Sequence, residues 1–149
     1  MAPFIVLAGS WLLFRCLGLA GLSYFDGWQT PLQAAVALML LLTASAHWGS
    51  RRPDLIRMVP PSLPKREWIV SATGWLELAG AAAILIPLTA PAAAISLALL
   101  FLAMFPANVR AAREKLTIGG RPVPGLPLRT LLQLVFIAAV LLASPIIQL

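Results

Sequence analysis

The sequence predicts an all-α fold, a polytopic membrane helix bundle with five transmembrane helices, and three observations predict it. Of 149 residues, 60% are hydrophobic and only 11% charged, whereas soluble domains carry roughly 25% charged residues. The mean hydropathy of +0.92 fits a chain whose solvent is hydrocarbon. The apolar residues also fall into five runs parted by joints bearing Pro, Gly or Arg, each near the ~20 residues that cross ~30 Å of bilayer as a helix.

Each run must be helical, because lipid offers no partner to a bare backbone amide. The expected spans cover about 4–22, 32–48, 68–88, 92–109 and 128–145 within a single transmembrane domain, 1–149. The N-terminus lacks a basic leader and Arg15 interrupts its apolar run, so it reads as a first span and not a cleavable signal. "SYFDGWQTP" turns the first span into the second, and "IPLTAP", with Pro87 and Pro91 as breakers, turns the third into the fourth. Joints this short make antiparallel helical hairpins. In the two longer connections, "RPDLIRMVPPSLPKR" suits a short helical turn on the inner leaflet or a partner-docking loop. "LTIGGRPVPGLPLR", with Gly119-Gly120 and three prolines, reads as an irregular loop.

The net charge of +6 raises nucleic acid as a partner, but the placement of charge argues against it. Ten of the eleven Lys and Arg residues lie in 51–66 and 110–129, with no aromatic-interleaved basic stripe. Two basic loops between apolar runs mark the cytoplasmic side of a membrane protein. They predict a cytoplasmic N-terminus, an exterior C-terminus and contact with an anionic inner leaflet. Trp28 would then anchor at the outer interface, and Trp48 and Trp68 at the inner one. Cys16 is the only cysteine and His47 the only histidine. No intramolecular disulfide, multi-His metal site or bis-His haem site can be built from one chain, so no metal site and no intrinsic cofactor are expected.

Three ionisable groups fall within or at the edge of the spans: Arg15, His47 and Glu77. Charge in the membrane is costly and usually faces the bundle interior. Arg15 lies eleven residues past Phe4 and Glu77 nine past Trp68, which at 1.5 Å per residue puts both roughly 14–17 Å deep. Equal depth predicts a direct Arg15–Glu77 ion pair, either a staple that fixes register or a proton- or ligand-responsive centre. Thr73 shares the Glu77 face. His47 and Asn108 close the second and fourth spans, Pro106 frees the carbonyl of Leu102, and Arg129 and Gln133 open the fifth span, i and i+4. Helix capping or snorkelling accounts for each singly. Together, Glu77, His47, Arg15, Thr73, Asn108, Gln133 and Arg129 are expected to line one polar pocket open to the cytoplasm. No catalytic residue can be assigned.

At "TASAHW", "RMVPPSLP", "TGWLELAG", "FPANV" and "LRTLLQLVFI" the chain resembles the DoxX family of small bacterial membrane proteins, in the branch with an extra N-terminal helix. The family's Gly-x-x-His-aromatic pattern falls on Ala44, His47 and Trp48, with Ala44 in place of Gly; its Thr-Gly-x-x-Glu falls on Thr73, Gly74 and Glu77. The resemblance implies a four-helix core plus one helix, in a bacterial inner membrane. Some relatives are membrane subunits of thiosulfate:quinone oxidoreductases, and others are linked to thiol and oxidative-stress partners.

Three functions follow as expectations. The first is a non-catalytic module that binds a small hydrophobic ligand such as quinone or lipid, or a cytoplasmic or membrane redox partner. The second is the membrane subunit of a quinone-linked oxidoreductase. The third is a small-solute or proton-coupled transporter, built as a homo-oligomer. A hydrolase is disfavoured, since no nucleophile motif is present.

Overall fold

In the computed structural model, which describes residues 1–146, all five apolar runs are helical. They form α1 (Ala2–Leu19), α2 (Gln29–Ser45), α4 (Arg66–Ala83), α5 (Ala90–Arg113) and α6 (Leu126–Leu142). A shorter helix, α3 (Arg52–Met58), follows α2, where a short helical turn was expected. Among the described residues the protein is all-α apart from one small hairpin. The exterior placement expected for the C-terminus concerns Leu149, which lies outside the described residues.

Helix ends differ from the expected ones by a few residues, with local causes. α1 stops at Leu19 because the amides of Ala20, Gly21 and Leu22 bond back to Cys16, Gly18 and Leu17. The segment then makes a 3-10 turn, Ser23–Phe25, and Pro31 sits in the first turn of α2, where a missing N–H costs nothing. α5 runs straight through Pro106 to Arg113, four residues past the expected end, and Arg110 and Arg113 in its last turn suit the negative pole of the helix.

The second long connection is not wholly irregular. Thr117–Ile118 (β1) pairs antiparallel with Arg121–Pro122 (β2). Gly119 and Gly120 between them have φ of +59° and +74°, the left-handed pair that a two-residue hairpin turn requires. The expectation of an irregular loop overlooked that a Gly-Gly pair is a turn signal.

α2, α4, α5 and α6 form a closed ring of neighbours: α2 packs on α4, α4 on α5, α5 on α6, and α6 on α2. α1 lies outside this ring, against α2 and the 3-10 turn. Successive helices of the ring run antiparallel, because the end of α2 meets the start of α4 (His47 on Val70) and the end of α5 meets the start of α6 (Asn108 on Gln133). Val36, Met39 and Leu40 of α2, Ile84 following α4, Leu97 of α5 and Val140 of α6 are almost wholly buried and fill the centre. Small residues, Ala35, Ala44, Ala81, Ala94 and Ala98, let the backbones approach.

Of the five expected spans, two helices, α1 and α5, are long and apolar enough to cross a membrane. α2 and α6 are apolar but have 17 residues each, or ~26 Å at 1.5 Å per residue. α4 has 18 residues but carries Arg66, Glu67 and Glu77.

Candidate functional site

Among the described residues the buried polar ones are His47, Glu77, Gln133 and Ser144, three of them on the expected list. Their hydrogen bonds divide the seven expected residues into three groups rather than one pocket.

The first group joins α2 to α4. Glu77 is 2% exposed and His47 4%. His47 Nε2 is 3.6 Å from Glu77 Oε1, and the Thr43 hydroxyl is 2.6 Å from Glu77 Oε2. His47 Nδ1 is 2.6 Å from the carbonyl oxygen of Val70. A carbonyl only accepts, so Nδ1 carries the hydrogen and Nε2 is the nitrogen turned to Glu77. At 3.6 Å the two side chains are in electrostatic contact and beyond a direct hydrogen bond. The Thr43 oxygen is also 3.0 Å from the carbonyl of Leu40, so its single hydroxyl hydrogen faces two acceptors, that carbonyl and Glu77. Thr73 stands beside His47, its oxygen 3.4 Å from Nδ1, and bonds back to Ile69 and Val70.

Two features set this geometry. At Gly74 a Cβ would lie 2.8 Å from His47 Cβ and Cγ and 2.8 Å from the ring of Trp48, so only glycine admits the end of α2 this close. Arg52 closes the site from the basic end, donating to the His47 carbonyl at 2.7 Å, the Glu67 carbonyl at 3.2 Å and the Ser71 hydroxyl at 3.0 Å.

The second group joins α5 to α6. Arg129 donates to Asn108 Oδ1, Asn108 Nδ2 donates to Gln133 Oε1 at 2.9 Å, and Gln133 Nε2 donates to the carbonyl of Phe101. The donor thus arrives one residue before Leu102, the carbonyl that Pro106 leaves without its amide. Leu102 faces outward, while Phe101 faces the ring interior where Gln133 lies.

Arg15 forms the third group alone and corrects an expectation. It does not meet Glu77. Its Nη1 donates to the carbonyls of Phe25, Asp26 and Gly27 at 3.3, 2.7 and 2.9 Å, closing the turn between α1 and α2. α2 stands between α1 and α4 in the packing, and equal depth along two helices says nothing of the direction in which each side chain points. The partner of Glu77 is His47. Two surface grooves fit this division: an apolar one between α4 and α5 around Gly80, Ala83, Ala93 and Leu97, and a shallow one at Phe105, Pro106 and Arg113. Neither is lined by His47 or Glu77.

Thr43, Arg52 and Ser71 belong to the site but were not among the expected residues. Thr43 stands four residues before His47 and so shares its helix face, a signal that would have found it. Ser144, buried at the far end of α6, accepts from the amide of Ile146 and is a local cap. Arg52 carries no signal beyond membership of a basic loop.

Fold and site together define an all-α bundle with a buried imidazole–carboxylate pair between neighbouring helices. The chain belongs to the family described as Domain of unknown function (DUF8561), whose model matches residues 36–144. That stretch begins within α2 and ends just past α6, so it includes the His47–Glu77 and Arg129–Asn108–Gln133 groups and leaves out α1 with Arg15. No curated protein and no solved structure matches the chain.

Proposed function

We propose that the chain is a DoxX-like integral protein of a bacterial inner membrane. It has five spanning helices, a cytoplasmic N-terminus and an exterior C-terminus. It works as a non-catalytic module that binds a small hydrophobic ligand or a redox partner at its basic, cytoplasmic end. The observation that carries this reading is the buried His47–Glu77 pair, which sits at the end of the bundle from which the basic connections leave.

The distribution of side chains supports the membrane part. Leu12, Leu41, Leu76, Leu99 and Leu134 are each about half exposed or more, while Glu77, His47 and Gln133 are buried. Water favours the reverse, and exposed apolar surface on each of the five long helices suits lipid. Helices of 17 residues cross with modest local thinning of the bilayer. Glu77 faces its partners and not lipid, as an intramembrane carboxylate must.

The binding part follows from the position of this pair between two helices. A ligand or partner that moves α2 against α4 changes the distance between Nε2 and Oε1, and with it the electrostatic contact of the pair. The test is purification from membranes, with detection of co-purified quinone or lipid and capture of partners through the cytoplasmic loops. The reading expects wild type to retain a ligand or partner that Glu77→Gln and His47→Ala lose. Equal retention removes the pair from the site, and recovery of nothing by wild type removes the module reading.

A second reading, the membrane subunit of a quinone-linked oxidoreductase, is favoured by three groups able to carry protons, Thr43, Glu77 and His47, lying side by side. Electrons would come from a partner. Quinone binding that depends on Glu77 and accompanies partner-driven quinone reduction selects it.

A further inference from the structure

We propose that Arg129, held by Asn108 and Gln133, is an oxyanion site for a phosphate group, supplied by a lipid headgroup or by a free phosphate-bearing solute. The inference rests on the membrane reading only for the lipid source.

Among the described residues Arg15, Arg52, Arg57 and Arg110 have their donors well engaged, while Arg51, Arg66, Arg113 and Arg121 have no side-chain hydrogen-bond partner and no buried polar relay behind them; Arg129 alone is held by a side-chain relay that ends on a buried residue, Gln133. Arg57 pairs with Asp54, and Arg110 with Glu114 and the Val59 carbonyl. Arg15 spans three carbonyls, and Arg52 two carbonyls and a hydroxyl. Arg129 is half-buried, yet among the described residues it uses one nitrogen on one neutral oxygen and has no carboxylate within salt-bridge distance. A guanidinium carries five N–H donors in a planar fork. No fully buried side-chain nitrogen lacks a partner among the described residues, so the free Nε and Nη1 reach the molecular surface. A ligand can meet them there.

The support behind the fork fits a built site. Both polar atoms of Gln133, 8% exposed, are engaged, one on the backbone of α5 and one on Asn108. The Asn108 amide nitrogen is thereby committed, which turns its oxygen to Arg129 and fixes the guanidinium with its unused edge outward. A preorganised fork loses little entropy on taking two oxygens of one phosphate. Helix stability does not account for the cation, because Arg129 stands near the N-terminal, positive pole of α6, where an anion is favoured. In a bilayer this end of α6 lies at the level of the headgroup phosphates.

The test uses the full chain in detergent, with native mass spectrometry after addition of phosphatidylglycerol and, separately, inorganic phosphate. Wild type is expected to retain one phosphate-bearing molecule, and Arg129→Gln to weaken retention on the order of tenfold, as loss of charge-assisted bonds would. Asn108→Asp keeps the arginine but gives it an internal carboxylate, and is expected to show the same loss in a folded protein. Arg121→Gln, on the exposed hairpin, is expected to bind as wild type does. Retention of phosphatidylglycerol assigns the lipid source, and Arg129-dependent binding of inorganic phosphate alone assigns the solute. Equal retention by wild type, Arg129→Gln and Asn108→Asp overturns the site, as does binding of neither probe by wild type. Extraction of the chain from membranes by carbonate would refute the membrane reading while leaving the inorganic phosphate result intact.

Discussion

His47 lies directly over Gly74, so close that a Cβ there would stand 2.8 Å from the Cβ and Cγ of the imidazole. His47 cannot retreat, because its Nδ1 is bonded to Val70 and its carbonyl to Arg52. Gly74→Ala is therefore expected to destabilise by about 1–3 kcal/mol through overpacking and Gly74→Val by more. Gly9, on α1 with nothing within 4 Å of its Cβ position, is the control: Gly9→Ala is expected to stabilise by up to about 1 kcal/mol through helix propensity. Thermal unfolding of the purified variants measures both, and equal tolerance at the two positions would contradict the close approach.

Removing one member of the His47–Glu77 pair strands the other. His47→Leu leaves a buried carboxylate held by Thr43 alone, and its expected cost is about 3–5 kcal/mol. His47→Leu with Glu77→Leu is expected to cost less than that single change. A double-mutant cycle checks this by a coupling energy of at least ~0.5 kcal/mol.

Arg15 and Glu77 are expected to show the opposite behaviour. Arg15→Met frees three carbonyls in the turn between α1 and α2, at about 1–3 kcal/mol. Because the two residues share no partner, Arg15→Met and Glu77→Gln should add to within ~0.5 kcal/mol. Strong coupling in that cycle would restore the ion pair that the geometry rejects.

The carboxylate of Asp54 accepts from the Gly119 amide at 2.8 Å and pairs with Arg57. The amide first, and Arg57 second, hold its carboxyl below the usual carboxylate range. The sign follows: a depressed folded value contributes stability that is fully present above the unfolded pKa of about 3.9. That contribution fades as pH falls through the folded value. Hydrogen exchange at the Gly119 amide should stay protected from neutral pH down to that region and rise below it. Asp54→Asn should weaken protection at neutral pH, and a flat profile in wild type would show the contact absent.

Much of this fold is legible in composition. Apolar runs set the five long helices, and α3 was marked by Pro53 before an apolar turn. The burial of Glu77, His47 and Gln133 follows from isolated polar groups in apolar sequence. What the chain does not spell out is direction around each helix axis. Depth placed Arg15 and Glu77 level, but azimuth sent Arg15 to the Phe25–Gly27 carbonyls and Glu77 to His47. Periodicity could have given the Thr43–His47 face. The Arg52 clamp could not be foreseen, since its acceptors are backbone carbonyls and a serine from a different helix, and no residue pattern encodes them.

Two contacts outside the bundle tie its basic end together. Asp54 holds the tip of the β1–β2 hairpin, and Arg110, on the last turn of α5, holds the carbonyl of Val59 just past α3. The connections on either side of α4 and α5 are thus buckled into a single clasp, with Arg52 riveting it to both α2 and α4. Two such fasteners, Asp54 and Arg52, link the hairpin to the backbone of His47, so whatever grips this end of the molecule holds a chain of contacts that ends at the His47–Glu77 pair.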